Sequence, residues 1–244
     1  MASMQYGFVD RSKDSQVHMG SVGAVVADDE RLHATLQPVC DARSGRLVGV
    51  DAVSTLVADR LAFSAALTLM PRVPGDVWLA IGVTPDFLTC VEPSPWFGVA
   101  REIRRRVVIE ISARESILDQ SFLRAAVELF RDQGARLAMT DVGPGYASLS
   151  NVLHVQPDFV TIAPSLVRGV ADDRVKRELT VAAVRIAQET RAEVIAGGVD
   201  SIEDLVAVTA LGVDRVKGPA VGFSREGLRG GLHSFPGPAR GRRR

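Results

Sequence analysis

From Leu32 the chain settles into a rhythm that its first thirty residues lack. Short apolar runs alternate with longer stretches in which apolar residues recur every three or four positions. The short runs predict strands and the long ones predict amphipathic helices. "LHATLQPVCD" and "RLVGVDAV" are β-rich runs joined by the polar turn "ARSG", which predicts an opening hairpin. "STLVADRLAFSAALTLM" follows with helical spacing and is stopped by Pro71 and Pro74. "DVWLAIGVT" is the next strand, and "PDFL" begins a short helix with proline in its first position.

Beyond this point strand and helix alternate. Strand "RRVVIEI" precedes helix "DQSFLRAAVELFRDQG", and strand "ARLAMTD" runs into a glycine-rich loop and the helix around "YASLSNVLHV". Strand "PDFVTIA" leads to the short helical "PSLVRGV". Helix "DRVKRELTVAAVRIAQET", strand "AEVIAGG", helix "SIEDLVAVTALG" and strand "VDRVKGP" complete the series. Ser201 is the expected N-cap of the last helix, with Asp204 as a weaker form of the capping-box acid.

Strands that alternate with helices pair in parallel through right-handed crossovers. About eight strands predict a closed (β/α)8-type barrel rather than an open sheet. Chemistry in such barrels lies at the C-terminal strand ends. That rule selects Asp51 to Val53, Gly82 to Thr84, Glu110 to Ser112, Thr140 to Asp141, Thr161 to Ala163, Gly197 to Gly198, and Lys217. The expected organisation is a flexible segment over 1–30, a barrel over 31–226, and a disordered basic tail over 227–244 containing "FPGPARGRRR".

Composition narrows the function classes. Of 244 residues, 46% are apolar, enough for a sizeable core. Lys+Arg and Asp+Glu both number 29, so charge gives no sign of nucleic-acid-polymer or membrane binding. No apolar run reaches the length of a membrane span, and the N-terminus lacks the core of a secretory signal. Cys40 and Cys90 stand far apart and read as two buried thiols of a cytoplasmic protein. Lysine occurs three times, at Lys13, Lys176 and Lys217, so each position bears inspection. His33 and His154 have no metal-ligand spacing and are expected to be ordinary core or surface residues. The "RRR" at Arg104 to Arg106 reads as a solvated strand end.

The strand ends carry a resemblance. "LQPVCDARSGRLVGVDAV", "LAIGVT", "VVIEISARES", "LAMTDVGPGYASLS", "PDFVTIAPSLVRGV" and "AEVIAGGVDSIEDLVAVTALGVDRVKGPAVG" resemble, in order, the motifs of the EAL-domain family. The likeness runs from about Leu32 to Ser224. It implies the modified TIM barrel of cyclic-di-GMP phosphodiesterases, here shortened between strands two and three. It also implies a site in which two divalent ions activate a water that opens cyclic-di-GMP to pGpG.

The departures from the family pattern decide what to expect. The signature glutamate is Asp51, the asparagine of the next strand is Gly82, and Glu110 is retained. The first aspartate of the paired acids is Thr140 and the second is Asp141. The catalytic lysine is Thr161, the aspartate two residues on is Ala163, a further glutamate is Gly197, and the last glutamine is Lys217. The phosphate-gripping arginine is Thr55, whereas the substrate-contacting Gln37 is kept. Asp51, Glu110 and Asp141 remain as metal ligands, weak or unused. A two-ion clamp holds its ions about 4 Å apart, and magnesium or manganese tolerates few missing oxygens.

Lys217 is expected to point at the same centre as Glu110 and Asp141, its ammonium standing in for a lost cation. Two carboxylates left together without counter-charge would repel. Gly143 and Gly145 are expected to permit a tight turn, with Tyr146 and Ser148 packing the next helix. In the family this loop also links metal state to dimerisation.

Three functions compete. The first is a non-enzymatic regulator that binds another protein and needs no cofactor. The second is a cyclic-di-GMP receptor without hydrolysis. The third is a weak phosphodiesterase using residual magnesium or manganese. A homodimer through the helices flanking the loop fits any of them.

Overall fold

The computed structural model describes residues 24–25, 34–54, 59–90, 100–114, 120–143 and 145–221. Thr55, His33, the basic tail and the side chains of Cys90 and Tyr146 lie outside the described part.

The alternating pattern folds as a closed barrel. The strands are β1 (Ala24–Val25), β2 (Ala34–Asp41), β3 (Leu47–Ser54), β4 (Trp78–Gly82), β5 (Val107–Ser112), β6 (Arg136–Val142), β7 (Phe159–Ile162), β8 (Glu193–Gly197) and β9 (Arg215–Lys217). From β3 to β9 each strand pairs in parallel with the next. The expected hairpin is present, since β2 is antiparallel to β3. Strand β2 is also antiparallel to β9, through Cys40↔Val216 and Asp41↔Arg215, and this pairing closes the barrel. Within the segment expected to be flexible, Ala24 and Val25 pair with Leu36 and Thr35.

Helices α1 (Asp59–Thr68), α2 (Pro85–Cys90), α3 (Arg101–Arg104), α4 (Gln120–Asp132), α5 (Tyr146–Val155), α6 (Pro164–Val167), α7 (Arg174–Glu189) and α8 (Ile202–Ala210) connect the strands. Of the periodic stretch from Ser54 to Met70, Ser54 belongs to β3 and Asp59–Thr68 to α1. The end signals act as expected where they are local. Gly134, with φ +98°, ends α4 in a conformation open to glycine. Ser201 Oγ accepts from the Asp204 amide at 3.1 Å. The capping box is not completed, however. The Asp204 carboxylate accepts from the amides of Gly169 and Ala171, at 2.8 and 3.0 Å, and so ties α8 to the turn after α6.

Two apolar layers result. The outer layer lies between the sheet and the helices and includes Leu79, Ile109, Leu137, Ile162 and Val194. The inner plug is Val39, Val48, Trp78, Ala80, Val108, Ala138, Phe159 and Ile195. Gly49 faces this plug, and a Cβ there would come within 2.3 Å of the Trp78 ring, so the large indole is admitted by the small neighbour. Residues two apart on a strand share a face. Gly82, Glu110, Thr140, Thr161 and Gly197 therefore stand one layer above Ala80, Val108, Ala138, Phe159 and Ile195. That layer is the barrel's mouth.

The three arginines before β5 depart from expectation. Arg104 closes α3, and Arg106 turns inward rather than into solvent. Its guanidinium donates to the carbonyls of Val73 and Val77, each at 2.9 Å, and to that of Pro74.

Candidate functional site

Three charged side chains meet at the mouth. Lys217 Nζ, from the end of β9, donates to Asp51 Oδ2 on β3 at 2.5 Å and to Glu110 Oε1 on β5 at 3.4 Å. All three are buried, with 8%, 6% and 6% of their surface exposed. The inward direction expected for Lys217 is thus observed, but the second carboxylate it meets beside Glu110 is Asp51 rather than Asp141, and Asp51 is the nearer partner. Strand order explains the reach. β9 and β3 flank β2, whereas β5 lies two strands beyond β3, so the four-carbon lysine stem crosses the mouth from wall to wall.

Burial and like charge shift these groups in opposed directions. Burial first, and then the Asp51 carboxylate, push Glu110 up to about 7, although Lys217 pulls the other way. For Lys217 burial alone would lower the ammonium, but the Asp51 and Glu110 carboxylates outweigh it and raise it. The lysine is therefore a fixed cation near neutrality, held tightly by Asp51 and more loosely by Glu110.

The remaining predicted residues surround this triad without joining it. Gln37 lies directly opposite Asp51 in the β2–β3 register and is half-buried. Opposite residues in an antiparallel pair share a face, so Gln37 is placed on the mouth side. Thr161 is buried and its Oγ1 has no hydrogen-bond partner. Gly197 is packed against it: a Cβ there would stand 3.0 Å from the Ile162 carbonyl oxygen and 3.1 Å from Thr161 Cγ2. Gly82, beside Glu110 in register, has open space where a Cβ would be. Thr140 pairs with Ser112, and both are half-buried.

Asp141 follows Thr140 at an irregularity where the β6–β7 register shifts between Met139 and Val142. Its φ is +56°, a left-handed backbone that aspartate tolerates better than most residues. Asp141 thus marks an irregularity within β6 itself, whereas Gly143 and Gly145, beyond the strand's end, have no positive φ. Ser148, expected to pack the next helix, is buried and also secures the loop, its Oγ donating to the carbonyls of Gly143 at 2.8 Å and Gly145 at 2.9 Å. His154 is exposed and bonds to its own helix through Ser150.

A family model described as the EAL domain matches residues 59–223. The chain belongs to the EAL-domain family. Its curated relatives include the cyclic di-GMP phosphodiesterase PdeR of Escherichia coli strain K12, 29% identical over 126 residues, which is 48% of this chain and 19% of PdeR. This EAL chain thus spans about a fifth of PdeR. Among solved structures, the EAL domain of Mycobacterium smegmatis DcpA superposes with a TM-score of 0.70 at 21% identity, covering 85% of this chain and 92% of that one. A standalone EAL protein of Vibrio cholerae O395, solved with c-di-GMP bound, gives 0.69 at 18% identity, covering 79% and 91%. These likenesses establish the fold. The manganese and cyclic-di-GMP complex of Klebsiella pneumoniae BlrP1, at 0.69 and 21% identity, covers 81% of this chain and 57% of that one.

The residues of this EAL domain do not fit a pair of divalent ions. The oxygens of Asp51 and Glu110 that would face an ion already face an ammonium. Among the described residues, no three His, Cys, Asp or Glu side chains stand together as a metal-binding group. In the sequence Gly197 and Thr161 stand as separate losses. Their mutual packing was not legible, because it depends on the distance between β7 and β8 at the mouth.

Proposed function

We propose that this EAL domain does not hydrolyse cyclic-di-GMP and instead acts as a regulator, by contact with another protein, in cyclic-di-GMP-related signalling. The observation that carries this reading is the Lys217 ammonium buried between Asp51 and Glu110. A tethered cation competes with any divalent ion for the same oxygens. Two-metal phosphodiester cleavage needs both ions to hold the nucleophile and the leaving oxygen. Thr161 and Gly197 offer neither a basic nitrogen nor a carboxylate. Catalytic groups that work as a unit lose activity steeply when one is removed, and here several are replaced together. The barrel and its plug persist around the altered mouth, which favours a retained binding surface over a decaying enzyme.

Gln37 supports a second reading, a nucleotide receptor, because it keeps an amide on the mouth side opposite Asp51. Calorimetry with cyclic-di-GMP, with and without manganese, separates the two, and product analysis for pGpG tests both. The expected outcome is no pGpG and no nucleotide binding. Binding without turnover favours the receptor, and pGpG formed by the wild-type chain overturns the non-enzymatic reading.

A further inference from the structure

We propose that Lys217 is a built-in cation that masks the carboxylate pair Asp51 and Glu110, and that its removal alone opens this place to one divalent ion. This deepens the non-enzymatic reading of the same mouth and rests on it.

Charge and burial motivate the first half. Asp51 and Glu110 are each 6% exposed, so water solvates neither well. Two such carboxylates need a nearby positive charge, because an unpaired buried ion costs far more than a paired one. Lys217 supplies that charge from β9, at 2.5 Å from one carboxylate and 3.4 Å from the other. Lys176, by contrast, donates to the Arg168 carbonyl on the outer surface. An ammonium carries its charge at a single point and donates three hydrogen bonds. A divalent ion at this place would use the same oxygens, so the two cations exclude one another.

The donor groups of the wall set the number of ions at one. On the β7–β8 side a Cβ added at Gly197 would meet the Ile162 carbonyl oxygen at 3.0 Å and Thr161 Cγ2 at 3.1 Å, so a longer, ligating side chain does not fit there without a shift. Neither Thr161 nor Gly197 contributes a charge there. On the β4 side Gly82 leaves open space beside Glu110, where water can complete a coordination shell. Magnesium and manganese commonly keep several waters and take only one or two carboxylates. Two carboxylates, water, and the amide oxygen that Lys217→Gln would introduce are a sufficient set for one ion.

The test is manganese binding to the whole chain, read by calorimetry and by the spin-resonance signal of free manganese. Lys217→Gln is expected to bind one manganese ion at least about tenfold more tightly than wild type. It is also expected to melt lower than wild type without metal and to recover part of that loss when manganese is added. Lys217→Arg retains the charge and is expected to gain no manganese affinity. A folded Lys217→Gln chain with no gain in affinity overturns the proposal. So does wild-type manganese binding that Glu110→Gln abolishes, a result that does not depend on how the lysine variant folds. Failure of Lys217→Gln to gain metal, with wild type still producing no pGpG, sinks this inference and leaves the non-enzymatic reading standing.

Discussion

At the scale of the residue, Glu110 is the member of the triad whose charge is least secure. Its carboxyl is pushed up to about 7 by burial and by Asp51. The unfolded chain releases the same proton near 4.5. Between these values the folded state binds more protons than the unfolded state, so stability falls as pH rises through that window. Below it, the contribution is fully present. Glu110→Gln replaces the titrating carboxyl with a neutral amide and should flatten the dependence of the urea midpoint on pH between about 4.5 and 7. A slope unchanged from wild type would show that another group sets it. The candidate site was legible only in part. The strand-end rule named Asp51, Glu110 and Lys217 as occupants of one mouth, because strand periodicity fixes which face a side chain takes. It did not identify Asp51, rather than Asp141, as the closer partner. That choice depends on how far a lysine stem extends across β2.

At the scale of the element, Arg106 joins the segment before β4 to the start of β5. Its guanidinium donates to the carbonyls of the buried Val73 and Val77 and to that of the exposed Pro74, which also accepts from the Val77 amide at 3.0 Å. Hydrogen bonds to a charged donor contribute about 1.5–3 kcal/mol, and an acceptor left buried without a partner costs about as much. Arg106→Met, which keeps the apolar stem, is expected to lose about 2–3 kcal/mol in urea unfolding. Arg105→Ala, on an exposed neighbour, should change stability by less than about 0.5 kcal/mol. Equal effects at the two positions would show that general positive charge, not this anchor, matters. Nothing in a run of three arginines distinguishes the anchor from its neighbours. The distinction arises from which of them follows the end of α3 at the angle that faces the loop. Ser201 was legible as a cap because its partner is three residues away. The Asp204 bonds were not, because Gly169 and Ala171 lie more than thirty residues upstream.

At the scale of the whole molecule, the alternation of strand and helix was enough to specify a barrel. Parallel strands need crossovers, and each crossover buries one helix stripe against the outer layer. What alternation cannot specify is how the ring closes. Closure depends on the antiparallel pairing of β2 with β9, two strands separated by nearly the whole described chain. The seam carries its own charge pairing. Arg215, on β9, contacts Asp41 on β2 at 2.6 Å and Glu193 on β8 at 3.0 Å. It thus links the closing strand to both neighbours. Burial would raise the Asp41 carboxyl, but hydrogen bonds from Ser44 and Arg43 and the charge of Arg215 hold it below its usual value. A carboxylate lowered in this way stabilises the fold above its unfolded pKa, and that contribution is lost as pH falls through the folded value. The pair is more sheltered than an ordinary surface bridge, each side chain being about a quarter exposed. Arg215→Ala is therefore expected to cost about 1–2 kcal/mol near pH 7, somewhat above the range for exposed pairs. The difference from wild type should narrow in acid, as pH falls through the lowered Asp41 value and that carboxylate takes up its proton. Urea midpoints measured for both chains near neutrality and in acid check this. A gap that stays constant with pH would mean that Arg215 acts through packing of its stem rather than through its charge.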